Sequence, residues 1–239
     1  MWSSARSSLA LEAGLPVPID VHPMKAARRF RLRFDEASRR LKLTCPARAS
    51  RRSALAWAAD QREWIDAQLA RAQPPEPFVA GATIPLEGRE ILLAWDAAAP
   101  RTPCLENDVL LCGGPESAFA RRIEAFLKRR ALDLMSREVA EFAQTAGVVA
   151  AAVTIGDPAS RWGSCSSARR IRLSWRLILA PPNVRRFVVA HEVAHLVELN
   201  HGAEFKALEA RLFGTGVAEA RSLLRRIGPR LRRIGRRGR

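Results

Sequence analysis

The chain has 239 residues, enough for one large domain or two small ones, and with 48% of them hydrophobic it can bury a core. Forty Lys and Arg against 24 Asp and Glu leave a net charge of +16, which excludes an acidic mimic and admits polyanions as partners. All but four of these cations are arginine, a skew that genome base composition produces as readily as selection for phosphate contacts.

In chain order, Phe30 to Phe34 and Leu41 to Cys45 alternate apolar with basic residues around the turn-like Asp35-Glu36-Ala37-Ser38, which predicts a β-hairpin. A helix is expected from about 52 to 72, with Leu55, Trp57, Trp64, Ile65 and Leu69 at helical spacing and the Pro74-Pro75-Glu76-Pro77 cluster ending it. Strands resume near Ile84, Ile91 to Trp95, and Val109 to Cys112, with Gly81, Gly88 and Gly113-Gly114 supplying turns. A long helix follows over about 116 to 145, with Phe119, Ile123, Phe126, Leu127, Leu134 and Phe142 inward and Gly147 closing it. Two strands are expected at Arg161 to Ser166 and Ile171 to Trp175.

After Pro181-Pro182, Asn183 is an N-cap candidate for a helix from Val184 to Leu199. Apart from Arg185, Arg186, Glu192, Glu198 and two histidines, that segment is almost wholly apolar, the mark of a buried central helix. Shorter helices are expected near 204 to 213 and 217 to 227. The stretch from Arg221 to Arg239 holds nine arginines and no acid, and reads as a solvated tail.

No apolar run approaches the roughly 18 residues of a membrane helix. The N-terminal stretch MWSSARSSLALEAGLPVP is interrupted by Glu12 and Pro16 before a signal-peptide core can form, so a cytoplasmic placement is expected. Cys45, Cys104, Cys112 and Cys165 form no CxxC pair and are read as free thiols of a reducing compartment.

The chemistry concentrates in three of the four histidines, His191, His195 and His201, with Glu192 following the first. On a helix His191 and His195 are offset by about 40° and one turn, so both imidazoles leave from one face. Glu192 lies about 100° further round, where a carboxylate reaches the metal's water without being a ligand. Continuing the helix would turn His201 away, so the chain must bend first. Asn200 and Gly202 tolerate the left-handed conformation that achieves this. Three neutral imidazoles plus an open position describe a catalytic zinc site. With this composition His-Glu-x-x-His arises by accident on the order of once in two hundred such chains.

The segments RWGSC at Arg161 to Cys165, IRLSWRLILAPP, and VVAHEVAHLVELNHGAEF resemble those of the YgjP-like zinc metallopeptidases, relatives of the SprT-like and other zincin families. The resemblance spans about 28 to 213 and is strongest over 161 to 205. It implies an α+β fold: a zincin-like catalytic domain whose HExxH helix packs beside an antiparallel sheet, preceded by a β-rich N-terminal region. It also implies a zinc ion held by His191, His195 and His201, with Glu192 as general base. The family's Asn-His-Ser-x-x-Phe is here Asn200-His201-Gly202-Ala203-Glu204-Phe205, a departure at Gly202.

The domain organisation expected is an N-terminal extension over 1–19, a β-rich part over 20–115, a catalytic core over 116–216 and an Arg-rich tail over 217–239. Metzincins share the histidine spacing, but Glu198 stands where they carry Gly and no Met follows the motif, so that assignment is excluded. A glutamate third ligand from Glu204, Glu209 or Glu219 is an alternative, as are zinc ligation by Cys165 and a Cys165 thiol mechanism. Since the chain has no Tyr, Arg161, Asn200 and backbone N–H groups are the candidates to stabilise the developing oxyanion, with Arg161 favoured. Trp162, Gly163, Ser164 and Asn200 are candidates for substrate binding, on a strand where an extended peptide could add. The function expected is hydrolysis of peptide or protein substrates, with no membrane partner. The alternative is a nucleic-acid-associated protein, or a protease of DNA-bound proteins, with weak non-specific binding through the tail.

Overall fold

In the computed structural model, residues 14–36, 38–158 and 161–236 are described. The expected extension over 1–19 therefore lies mostly outside the described residues, as do Ala37 of the hairpin turn and the last three residues of the tail. The chain divides into two compact units at Pro74/Pro75, within the proline cluster and well before the expected boundary at 115.

The first unit holds a three-stranded sheet in the order β1 (Ile19–Met24), β3 (Arg40–Pro46), β2 (Arg31–Asp35). The hairpin β2/β3 is antiparallel, and β1 pairs with β3 in parallel from Ile19 opposite Leu41 to Met24 opposite Pro46. In β3 the period of two sends Leu41, Leu43 and Cys45 inward, all fully buried, and leaves Arg40, Lys42 and Thr44 on the other face. The single helix expected over 52 to 72 is two, α1 (Arg51–Ala59) and α2 (Arg62–Arg71). Ser50 caps α1 by accepting from Ser53 N–H at 3.1 Å. Phe30 stacks on Trp57 of α1 at 5.3 Å between ring centroids.

The second unit carries the three clustered histidines. It opens with a four-stranded sheet in the order β4 (Thr83–Leu86), β5 (Arg89–Trp95), β7 (Val109–Cys112), β6 (Cys104–Glu106). The 28-residue helix α3 (Phe119–Ala146) follows, and Gly147 ends it in the left-handed conformation at φ 70°. A second sheet has the order β8 (Ala152–Gly156), β10 (Arg170–Ser174), β9 (Gly163–Cys165). It is mixed, because β8 joins β10 in parallel while β9 runs antiparallel to it, which leaves β9 at an edge. Beside it lie α4 (Pro182–Ala194), α5 (Ala203–Phe213) and α6 (Val217–Arg233).

Helix α4 is the buried central element its composition predicts, with Val184, Phe187, Val188, Val189, Ala190, Val193 and Ala194 all in the core. Its cap is not Asn183. The helix starts two residues earlier than expected, at Pro182, with Pro181 at the N-cap and no side-chain capping bond, since proline's fixed φ already suits a first turn. The charges that interrupted its apolar pattern have partners. Arg185 donates to Glu138 of α3 at 2.9 Å with both side chains buried, and Arg186 pairs with Glu141.

The segment from Arg221 is not a solvated tail. Helix α6 runs to Arg233 and buries Ala220, Leu224, Gly228 and Leu231 on one stripe. Of the seven arginines among its described residues, five are engaged. Arg221 meets Glu209, Arg230 and Arg233 meet Glu76, Arg236 meets Asp157, and Arg232 donates to the Pro158 carbonyl. Buried Arg176 pairs with Asp157 and donates to the carbonyls of Leu231 and Ile234, so the last helical turn is satisfied by a side chain. Composition hid this because a four-position apolar stripe is diluted by the charges around it. Among the described residues no helix is long and apolar enough to cross a membrane.

Candidate metal centre

Helix α4 presents His191 and Glu192 in its last turn and ends at His195, four residues short of the expected Leu199. The backbone tightens there, with Leu196 N–H on the Val193 carbonyl and Val197 N–H on the Ala194 carbonyl. Neither Asn200 nor Gly202 adopts the left-handed conformation. The bend is made instead by the Asn200 carboxamide oxygen, which accepts from Gly202 N–H at 3.1 Å, and by extended Gly202, which starts α5. Asn200, expected at the substrate, thus holds the turn that returns His201.

His191, His195 and His201 converge, each offering a ring nitrogen, all within 4.8 Å of one another. The Nε2 atoms of His191 and His201 are 3.3 Å apart. Zinc–nitrogen bonds of about 2.0 to 2.1 Å in a tetrahedron give an edge of about 3.3 to 3.4 Å, so this pair already has a ligand spacing. Phe205 of α5, buried, lies against all three rings at 4.5 to 5.0 Å between centroids.

The opposite nitrogens are committed elsewhere. His191 Nδ1–H donates to the Glu209 carboxylate at 2.7 Å, and His195 Nδ1–H to the Glu198 carbonyl at 2.9 Å. Each bond fixes the tautomer that leaves Nε2 with its lone pair exposed to the cluster. Burial holds the His191 imidazole below its usual range, against the pull of Glu209, which favours the neutral form that binds metal. The donor set therefore fits a borderline-soft divalent ion.

Glu192 is buried, and burial pushes its carboxyl up to about 7, with the positive charge of Arg161 pulling it down. Gly163 of β9 faces it so closely that a Cβ there would sit 2.6 Å from Glu192 Cγ and nearer still to Oε1. This glycine, expected at the substrate, makes room for the acid. Arg161 is exposed at the approach to β9. Ser164 pairs with Arg172 across the sheet. Trp162 packs against Gly228, and the guanidinium of Arg232 lies 4.2 Å from its ring centroid.

Glu209 lies behind His191, bonded to its Nδ1 and to Arg221, and Glu204 and Glu219 belong to no such cluster among the described residues. His201, from the same short turn, completes the group. Burial and Glu192 push the Cys165 thiol up, the opposite of what activates a nucleophile. Sequence spacing offered Glu209 only as an alternative third ligand and gave no role to Phe205 or Arg221; the places of all three arise where α5 and α6 return to α4.

A family model described as YgjP-like, metallopeptidase domain, matches residues 28–226. Among solved structures, the metallopeptidase zymogen jannalysin of Methanocaldococcus jannaschii is similar at 16% identity and a TM-score of 0.35, over 38% of this chain and 94% of that one. The metallopeptidase zymogen abylysin of Pyrococcus abyssi is similar at 18% identity and a TM-score of 0.35, over 42% of this chain and 97% of that one. No curated protein matches.

Proposed function

The chain belongs to the YgjP-like metallopeptidase domain family, and from that premise we propose that it is a zinc-dependent peptidase in which His191, His195 and His201 hold the metal and Glu192 is the general base. The observation that carries this reading is the convergence of three imidazole nitrogens within 4.8 Å in one cluster, on the helix turn that also bears a buried carboxylate with a pKa of about 7. When bound, zinc supplies a Lewis acid that polarises the scissile carbonyl and acidifies water.

Glu192 takes the proton of the attacking water and delivers it to the leaving amine, and a carboxyl poised near neutrality suits both transfers. Gly163 leaves the space in which that carboxylate turns. Arg161, whose charge is felt at Glu192, is placed to stabilise the oxyanion. As an edge strand, β9 is the place where an extended substrate strand would add, with Ser164 on it and Trp162 just before it. The nucleic-acid alternative drew on a free arginine tail, and loses much of that support where five of the seven described arginines from Arg221 onward are engaged within the second unit.

The test is metal analysis with a peptidase assay on the wild type, Glu192→Gln and His201→Ala. About one zinc is expected in the first two, activity only in the wild type, and loss of metal from His201→Ala. Equal activity in Glu192→Gln refutes the base; full metal in His201→Ala refutes the ligand set.

A further inference from the structure

We infer that Glu209 and Arg221 form a positioning relay for His191, so that helix α6 sets the metal affinity of a site it does not itself line. The inference rests on the metal reading above. Glu209 sits on α5 with its side chain only 3% exposed, where an ionised carboxylate is costly unless compensated. Two groups compensate it. One oxygen accepts from His191 Nδ1–H at 2.7 Å, and the other accepts from the Arg221 guanidinium of α6 at 2.9 Å.

Arg221 is fixed in turn, with its guanidinium 5.4 Å from the ring centroid of Phe187, which itself lies one turn before His191 on α4. Three helices thus meet at one carboxylate. The geometry has a direct consequence for the imidazole. A carboxylate on Nδ1–H locks the ring against flipping and raises the basicity of Nε2, the atom that faces His201 at 3.3 Å. His195 has only a neutral carbonyl in the corresponding place, so of these two rings His191 alone is charge-assisted. Arg221 keeps the carboxylate aimed at His191.

The relay also explains a packing choice. Helix α6 is anchored at its far end by Arg176 and Glu76 and near its start by the Arg221–Glu209 pair. Loss of the near anchor frees Glu209 to rotate while the core under Leu224 and Leu231 stays intact.

The experiment measures Zn2+ affinity by chelator competition, and the visible absorption of the Co2+ form, on the full chain. It compares wild type, His195→Ala, Glu209→Gln, Arg221→Ala and Arg221→Lys. Glu209→Gln is expected to weaken Zn2+ binding by about 10- to 100-fold and to shift the Co2+ bands. Arg221→Ala should weaken it by a smaller factor, and Arg221→Lys should restore most of that loss. A merely structural role would lower thermal stability without moving the Co2+ bands of the folded protein. Should Glu209→Gln not fold, the half-exposed Arg221 pair of variants decides alone. Affinities within twofold of wild type and unchanged bands overturn the relay. Wild type and His195→Ala binding alike would instead overturn the metal reading, and the relay with it.

Discussion

Replacing Gly163 with alanine adds one methyl group to β9 and should disable the reaction without removing the metal. The backbone tolerates the change, since Gly163 does not occupy the left-handed region. The nearest collisions are all with Glu192. The new Cβ would lie 2.6 Å from Cγ and 2.7 Å from Cδ, whereas ordinary contact begins at 3.4 Å. The carboxylate must therefore recede by about 1 Å, and a displacement of that size at a catalytic group costs about 100-fold in rate. That corresponds to about 2.7 kcal/mol of barrier. The measurement is kcat/KM on a peptide that the wild type cleaves, with zinc content and circular dichroism recorded on the same sample. A folded, fully metallated Gly163→Ala variant with turnover within twofold of wild type would show that Glu192 does not act from this position. Loss of zinc would refute the separation of base from ligands.

Arg161→Ala should lower turnover by on the order of 100-fold with zinc content unchanged, as for a lost oxyanion donor; undiminished turnover removes Arg161 from the reaction. Glu138→Ala strands the buried Arg185 guanidinium between α3 and α4 and should destabilise the protein by about 3 to 5 kcal/mol in urea unfolding, a loss under 1 kcal/mol contradicting the assignment. Burial pushes the Asp157 carboxyl up, but the hydrogen bonds from Arg176 and the charges of Arg176, Arg236 and Lys128 outweigh it and hold it below its usual range. Because the folded value is depressed, the stabilisation is present above the unfolded value of about 3.9 and is lost as pH falls through the folded value. The difference in unfolding midpoint between wild type and Asp157→Asn should accordingly be large at neutral pH and shrink below about pH 4; a constant difference across that range contradicts it.

The sequence by itself determined most of the elements and the motif on which the proposed chemistry rests. Apolar periodicity specified β3, α3 and the buried α4, and the His-Glu-x-x-His spacing put two imidazoles and a carboxylate on one helix, because both signals are local and repeat within a few residues. The three edge strands it missed, β1, β6 and β8, are strands only because neighbours pair with them. The fold also decided where α4 ends, since the stop at His195 comes from bonds that tighten the chain rather than from a breaker residue. Tertiary structure carried the helix expected over 217 to 227 on to Arg233 and engaged the arginine-rich terminus, by supplying Glu76, Asp157 and Glu209 from segments up to about 157 residues away. It alone made Gly163 a space for Glu192 and Glu209 a brace for His191. Those roles depend on distances between elements remote in sequence, and a linear pattern carries no record of such distances.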